Sequence, residues 1–211
     1  AAGGENGMKL EFQMEDDEAD AEKAVNAYNT LKDNGMKVFI GTVTTGACLS
    51  VVSQTKADNM FQITPSASAA KVIANDNCFQ VCFTDPNQGT ASADYIASKG
   101  LATKVAVIYN SSDAYSSGIY DNFKAEAAAK GLDLVASEAF TGDSKQDFSS
   151  QLSKIKASGA ELIFLPIYYQ EASLILSQAK NAGITAKFFG CDGLDGLLNI
   201  ENFDKSLAEN V

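Results

Sequence analysis

Residues 104–117, KVAVIYNSSDAYSS, show the pattern that decides the fold. The first six, KVAVIY, form an apolar run with β-branched residues, which predicts a buried strand. A polar loop over residues 110–114 follows. After it, Tyr120, Phe123 and Ala127 recur at the three- and four-residue spacing that predicts a helix. Strand, loop and helix in this order form the first half of a βαβ unit. Ligands of open α/β sheets bind at the carboxyl ends of the strands, so we expect function in this loop.

The same alternation of strands and helices continues outward in both directions. The other predicted strands are residues 8–14, 37–41, 60–64, 79–84, 132–140, 161–166 and 186–190. Helices are predicted at about residues 21–34, 48–59, 88–99, 115–130, 148–157 and 171–181, and five of them end at a glycine, at positions 35, 100, 131, 159 and 183. Most of the strands are near-continuous apolar runs, which is typical of parallel sheets covered by helices. The fold class is therefore α/β.

Composition narrows the possible functions. The 211 residues are 45% hydrophobic and 20% charged, which allows one large or two small α/β domains. The net charge of −11 argues against binding to nucleic acid or to acidic membrane surfaces. The chain has no histidine, which removes Ser-His-Asp and Cys-His catalysis and histidine-containing zinc sites. We therefore expect no enzyme activity.

Local motifs for cofactors, metals and export are weak or missing. No GxGxxG or Walker motif is present, and the acidic run at residues 15–20 lacks the central glycine of a calcium loop. That run instead favours a helix N-terminus. The cysteines at positions 48, 78, 82 and 191 form no CxxC motif, which leaves buried thiols or one disulfide as the alternatives. No apolar run reaches the length of a membrane span, and AAGGENG does not have the features of a signal peptide. We expect no cofactor and no metal.

A series of segments carries a family resemblance over almost all of the chain. The segments are EDDEADAEKAVNAYNTL, VFIGTVTTGA, QITPSASA, FQVCFTDPNQGTASADYI, KVAVIYNSSDAYSSG, QDFSSQLSKIK and AKFFGCDG. In this order and spacing they resemble the branched-chain amino-acid substrate-binding proteins of ABC transporters, which bind leucine, isoleucine or valine. Those proteins have the type I periplasmic-binding-protein fold.

The resemblance implies two α/β lobes that close over a ligand around a hinge. Residues 1–85 match part of lobe 1, and residues 86–211 match lobe 2. The family's first strand and helix and its later return into lobe 1 have no match here, so we expect lobe 1 to be incomplete. The implied location is periplasmic or extracellular, with lipoprotein anchoring as one form of it. The implied partners are a small amino acid and a membrane permease, without nucleic acid.

The resemblance also implies residues that hold the carboxylate of an amino acid. Thr45 and Ser68 match positions whose hydroxyls bind this group, and both are expected just before helical segments, whose N-terminal amides favour an anion. Ser66 and Ala67 match positions whose backbone lines the ligand. The alternative role for the two hydroxyls is helix capping.

Three further residues match positions that hold the rest of the ligand. Asp192 matches the acidic residue that binds the α-ammonium, and its alternative is a turn before a glycine. Tyr115 and Tyr168 match aromatic residues that close over the ligand from lobe 2. In the pair of adjacent tyrosines, Tyr168 is chosen over Tyr169 by its place in the motif, and simple packing is the alternative.

The resulting hypothesis is an extracytoplasmic solute-binding protein that captures an amino acid, branched-chain or similarly aliphatic, between two lobes and delivers it to an ABC transporter permease. Two alternatives stay open at this point. One is the ligand-sensing ectodomain of a receptor or regulator with the same fold. The other is an α/β enzyme, for which the sequence shows no nucleophile and base pair.

Overall fold

The computed structural model describes residues 7–211, apart from the side chain of Asn210, and divides the chain into two compact units. The first unit contains the chain up to Ala67 together with Lys71–Cys82, and the second contains Ser68–Ala70 and Phe83–Val211. Residues 1–6, which include most of the AAGGENG segment and the start of the predicted first lobe, lie outside the described residues. The assignment of residues 1–85 and 86–211 to two lobes stays a prediction.

The first unit is a small parallel sheet with two α-helices. Its elements are α1 (Ala21–Asp33), β1 (Val38–Ile40), α2 (Thr45–Ala57), β2 (Phe61–Thr64) and β3 (Cys78–Gln80). The strands lie in the order β1-β2-β3 and both pairs are parallel. The final strand is shorter than the predicted strand at residues 79–84 and begins one residue before it.

Helix α1 forms where its apolar spacing predicts it. Asp20 caps the helix, since its side chain accepts hydrogen bonds from the backbone N–H groups of the next turn. This confirms that the acidic run leads into a helix N-terminus. Ala24, Tyr28 and Leu31 are the buried residues of the helix. The ring of Tyr28 meets Phe39 of β1 edge to face, with centroids 5.3 Å apart, and joins the helix to the sheet.

The predicted strand at residues 8–14 is wrong. Only Met8 forms an isolated bridge, and the rest of the segment has no regular structure. Its apolar side chains are exposed, Met14 by 91%. The alternation of apolar and polar residues fits a strand, but a strand also needs a partner for its backbone groups. No neighbouring strand among residues 7–211 pairs with this segment over its length.

The second unit contains a four-stranded parallel sheet. Its elements are α3 (Asp85–Ser98), β4 (Lys104–Asn110), α4 (Ala114–Ala129), β5 (Asp133–Phe140), α5 (Ser149–Ser158), β6 (Leu162–Leu165), α6 (Tyr169–Asn181) and β7 (Lys187–Gly190). The strands lie in the order β5-β4-β6-β7. Short 3₁₀ turns follow at Asp192–Leu194, Leu197–Asn199 and Lys205–Asn210. Parallel strands joined by helices are confirmed as the architecture.

Both faces of this sheet are buried, as the continuous apolar strands predict. Val105 and Val107 of β4 belong to a core shared with α3 and α4. Ala106 and Ile108 point to the opposite face and pack in a second core with α5 and α6. Helix α5 ends at Gly159, whose φ of 70° is the left-handed conformation that glycine adopts most readily. One hydrophobic layer therefore lies on each side of the sheet.

Several details differ from the predictions or go beyond them. Helix α3 begins at Asp85, whereas the predicted start was residue 88. Thr84 is its N-cap residue, and a proline lies in its first turn, where its missing N–H is not needed. The four cysteines are free thiols, so the disulfide alternative is wrong. The buried-thiol alternative holds for Cys48 and Cys78, whereas Cys82 and Cys191 are only partly buried. No helix among residues 7–211 is both long and apolar enough to cross a membrane.

Candidate functional site

The predicted site residues follow the carboxyl ends of adjacent strands in each unit. In the first unit β1 and β2 are hydrogen-bonded neighbours in parallel register, with Ile40 opposite Ile63. Thr45 follows β1, and Ser66 and Ala67 follow β2. Because the two strands end at the same edge, these loops are grouped at that edge of the first sheet.

Thr45 is the first residue of α2 and is only 1% exposed. The N-cap position belongs to Thr44, whose side chain makes no capping hydrogen bond and whose buried Oγ1 has no partner in the described part of the chain. The capping alternative for Thr45 is therefore wrong. The position fits the expectation that the amides at this helix start favour an anion.

Thr64 fixes the loop that contains Ser66 and Ala67. Its Oγ1 donates to the carbonyl of Thr42 at 2.6 Å and accepts from the N–H groups of Ala67 at 3.0 Å and Ser66 at 3.3 Å. These two N–H groups are thus already used within the loop. The backbone of Ser66 and Ala67 can therefore offer carbonyl oxygens to a ligand, and these suit an ammonium better than a carboxylate.

Ser68 is buried, and its carbonyl accepts a hydrogen bond from the backbone N–H of Asp85 at 2.9 Å, within the second unit. One expectation about it is wrong. The segment after Ser68 is only the 3₁₀ turn Ala70–Ile73, not an α-helix. The argument from helix N-terminal amides therefore does not apply to this residue.

The second unit brings three predicted residues close together. Tyr115, Tyr168 and Asp192 follow β4, β6 and β7, which are adjacent in the sheet. The Tyr115 hydroxyl donates to Asp192 Oδ1 at 2.6 Å. The rings of Tyr115 and Tyr168 stack with centroids 4.9 Å apart and an interplanar angle of 15°. Tyr115 therefore contacts both partners: its ring stacks on Tyr168, and its hydroxyl holds the Asp192 carboxylate.

Gly193 also contacts Tyr115. The sequence analysis predicted this glycine only as part of a turn after Asp192. Its backbone N–H donates to the Tyr115 hydroxyl at 2.9 Å, so this oxygen accepts one hydrogen bond and donates another. A Cβ at Gly193 would lie 2.7 Å from that oxygen and 2.6 Å from the carbonyl oxygen of Ile167. Only glycine allows the loop to approach Tyr115 this closely.

Burial and nearby acidic groups raise the pKa of several side chains in the second unit. Burial, together with the charge of Asp192, raises the pKa of the Tyr115 hydroxyl, which stays protonated as a donor. The same two causes raise the pKa of the Cys191 thiol to about 12, so it remains uncharged. Burial is the largest cause that raises the pKa of Asp85 to about 6, and Asp192 and Asp113 add to it.

Asp85 is a buried acidic residue that the sequence analysis did not single out. The available signal was its place: it comes soon after a strand and at a helix start, like Thr45 and Tyr115. Its burial could not be read from the sequence, because an aspartate before a proline is usually an exposed turn residue.

Comparison with known proteins identifies the family. The periplasmic binding protein family model matches residues 1–200. A relative from Brucella melitensis, Leu/Ile/Val-binding protein homolog 3, is 33% identical over 92% of this chain and 52% of its own length. The chain thus spans about half the length of the curated relatives that it matches.

Solved structures agree in fold. The leucine-binding protein LivK from Thermotoga maritima superposes with a TM-score of 0.84 at 27% identity, over 90% of this chain and 54% of its own. The substrate-binding protein LivJ of a branched-chain amino-acid transporter from Streptococcus pneumoniae, in complex with isoleucine, gives 0.83 at 28% identity, over 91% and 55%. These matches confirm the resemblance and the type I fold. The chain belongs to the periplasmic binding protein family.

Proposed function

We propose that the protein is an extracytoplasmic solute-binding protein that captures an amino acid with an aliphatic side chain and delivers it to an ABC transporter permease. The observation that carries the proposal is the arrangement of Tyr115, Tyr168 and Asp192 in the second unit. It combines an oriented carboxylate with a stacked aromatic wall, which are the groups that a zwitterionic amino acid with an apolar side chain needs. The names of the family's relatives, which bind leucine, isoleucine and valine, support the same ligand class.

Each part of an amino acid has a proposed partner. Asp192 receives the α-ammonium, because its carboxylate is held in place by the Tyr115 hydroxyl. The hydroxyls of Thr45 and Ser68 receive the carboxylate. The carbonyls of Ser66 and Ala67 line the ligand, and the rings of the two tyrosines cover its side chain.

Binding without chemical change is the proposed activity. Ligand contacts stabilise one state of a two-lobe protein only if they are made in that state and not in the other. The result of binding is therefore a ligand-bound state of the protein that a permease can recognise. Periplasmic binding proteins act outside the cytoplasmic membrane, and membership of that family supports this location.

Calorimetric titration of the protein tests the proposal. Leucine, isoleucine, valine, alanine and glutamate are titrated separately, and the ligands are recovered afterwards and checked for chemical change. We expect saturable binding of the aliphatic set with each ligand recovered intact. Absence of binding to all five by a folded protein would contradict the amino-acid proposal, and product formation would indicate an enzyme.

An aspartate variant tests the site within the same titration. Asp192→Ala removes the proposed partner of the ammonium. Asp192 is exposed in this structure, and closure over the ligand would desolvate the pair, so the loss of one partner would cost about 3–5 kcal/mol. At about 1.4 kcal/mol per tenfold, we expect leucine affinity to fall by on the order of a hundredfold or more. Asp195→Ala is the matched control, since Asp195 is an exposed aspartate three residues away. Equal affinity in Asp192→Ala and the parent would show that the ammonium site lies elsewhere.

A further inference from the structure

A groove lies beside α6 in the second unit, and none of the predicted site residues lines it. Its volume is about 520 Å³, which is within the range of about 300–1,000 Å³ that is typical of small-molecule sites. One wall is the N-terminal half of α6, and the other is the chain around the 3₁₀ turn that follows β7. The first wall includes Tyr169, Gln170 and Leu174, and the second includes Gly196, Asn199 and Ile200. We call this feature the α6 groove.

Gly196 places the second wall next to the first. Its φ of 99° is in the left-handed region, which glycine adopts at little cost. A Cβ at this position would lie 3.4 Å from two ring atoms of Tyr169 and 3.6 Å from a third. A side chain at residue 196 would therefore occupy the space beside the tyrosine ring. The glycine keeps that space open within the groove.

The described residues that line the α6 groove are all uncharged. Tyr169, Leu174 and Ile200 contribute apolar surface, and each of them is partly buried. Gln170 and Asn199 contribute one side-chain amide to each wall, and both residues are exposed. A side-chain amide offers two N–H donors and one carbonyl acceptor. The groove thus combines apolar walls with groups that can both donate and accept hydrogen bonds.

The charges around the groove disfavour an anion. Asp195 and Glu201 directly flank residues 196–200 in the chain, and both are exposed. Glu171 follows the first wall, and its carboxylate lies 3.7 Å from Lys145 Nζ, which compensates its charge. A cation would need a carboxylate in the groove, and none of the described lining residues has one. An uncharged ligand therefore suits this place better than an ion of either sign.

We propose that the α6 groove is a second ligand site, which binds an uncharged, partly apolar small molecule with amide groups, such as a blocked or cyclic dipeptide. Its alkyl groups contact Tyr169, Leu174 and Ile200. Its amides pair with those of Gln170 and Asn199, since each amide has both a donor and an acceptor. This site is distinct from the proposed amino-acid site, which binds the two charges of a zwitterion.

NMR titration of the isotope-labelled protein with N-acetyl-leucinamide tests the proposal. This probe has an apolar side chain and two amide groups, and it carries no charge. N-acetyl-leucine is the matched probe, because it has a carboxylate in place of one amide. We expect saturable shifts at residues 169–174 and 196–200 with N-acetyl-leucinamide, and an affinity for N-acetyl-leucine lower by about tenfold or more. Absence of these shifts in the folded protein, or equal affinity for both probes, would overturn the proposal.

Two variants test the amides of the groove. Gln170→Ala and Asn199→Ala each remove one amide, and we expect each to weaken N-acetyl-leucinamide binding by about threefold to tenfold, as for the loss of neutral hydrogen bonds. Asn181→Ala is the matched control, because Asn181 is an exposed amide at the other end of α6 and does not line the groove. It should leave the affinity unchanged. Parent-like affinity in both groove variants would overturn the assignment of the two amides and with it the proposal.

A competition experiment separates the groove from the proposed amino-acid site. We expect N-acetyl-leucinamide to bind with the same affinity, within about twofold, in the presence of saturating leucine and in Asp192→Ala, because Asp192 does not line the groove. Displacement of the probe by leucine would place it in the amino-acid site and would overturn the inference. Binding of the probe at residues 169–174 and 196–200 by a protein that does not bind leucine would support the groove while removing the proposed function.

Discussion

At the scale of single residues, the hydroxyl of Tyr115 connects three loops of the second unit. It donates to Asp192 and accepts from Gly193, while its ring lies against Tyr168. The residue is 2% exposed, so these interactions replace water almost completely. One oxygen atom thus fixes the direction of the carboxylate and the position of the loop after β7.

Tyr115→Phe isolates the contribution of this oxygen. The substitution keeps the stacked ring but leaves the Gly193 N–H and Asp192 without their partner, so we expect unfolding free energy to fall by about 1–3 kcal/mol. Chemical denaturation followed by circular dichroism measures the loss. Tyr95→Phe serves as the control, because Tyr95 is half exposed in α3 and should change stability by less than about 0.5 kcal/mol. Equal stability of Tyr115→Phe and the parent would show that the two hydrogen bonds contribute little.

The pKa of Asp85 predicts a dependence of stability on pH. Burial, then Asp192 and Asp113, raise it from the ordinary value of 3.8 to about 6, so the folded protein binds more protons than the unfolded chain between these values. Stability from this group is therefore present at low pH and is lost as pH rises through about 6. The loss is at most about 3 kcal/mol, since one pKa unit corresponds to about 1.4 kcal/mol.

Asp85→Asn should accordingly be more stable than the parent at about pH 7.5, and its stability should change less between about pH 4 and pH 6.5. Asp113 keeps part of the slope, because burial raises its pKa as well. Thermal unfolding across this pH range, with Asp94→Asn as control, provides the measurement. A steeper decline in the variant than in the parent would contradict the assignment.

At the scale of elements, α3 and α4 pack against each other through a glycine. A Cβ at Gly89 of α3 would lie 2.4 Å from the carbonyl oxygen of Ile119 and 2.7 Å from the backbone N of Phe123. These are backbone atoms of α4 and cannot rotate away. The close approach also places Asp85, one turn earlier in α3, beside Gly118. A glycine in a helix interior lowers helix propensity, and here the packing explains it.

Gly89→Ala should therefore separate the two helices. We expect unfolding free energy to fall by about 1–3 kcal/mol or more, because overpacking in a tight contact forces backbone shifts. Gly142→Ala is the matched control in the same unit: its Cβ would meet only the Ser112 side chain, at 3.8 Å. Denaturant titration of both variants measures the difference. Similar stability of the two would mean that the helices adjust at little cost.

At the scale of the whole molecule, the two units differ in how well they bury apolar surface. The second unit covers both faces of its sheet with helices. In the first unit, one face of the sheet packs against α1 and α2, and the other face is exposed in the described part of the chain. The residues exposed on that face are Val38, Ile40, Phe61 and Phe79. Exposed apolar patches of this kind bind hydrophobic dyes and favour association.

We expect residues 83–211 to fold when produced alone, because they contain both cores of the second unit and the entire four-stranded sheet. Cooperative thermal unfolding and resistance to proteolysis would show this. Residues 7–82 are the comparison, and we expect them to bind a hydrophobic dye and to unfold at lower temperature. A disordered 83–211 fragment would show that the second unit depends on the first for its stability.

Local sequence was sufficient for most of the elements. Apolar runs predicted the strands of both sheets because strands that pack against helices are rich in apolar residues, and helix α1 followed from the spacing of Ala24, Tyr28 and Leu31. The predicted positions of Thr45, Tyr115, Tyr168 and Asp192 after strand ends came from the resemblance together with the strand assignments. Their roles in binding stay predictions.

Tertiary structure alone decided the rest. Residues 8–14 have the alternation of a strand, but pairing depends on a neighbour that is distant in sequence, and none is described. Asp85 and Gly193 depend on distant residues too: one is buried beside Gly118 of α4, and the other donates a hydrogen bond to Tyr115. Burial and close approach are sums over contacts between distant parts of the chain. The sequence therefore determined the fold class and the order of its elements, and packing determined which polar groups are buried.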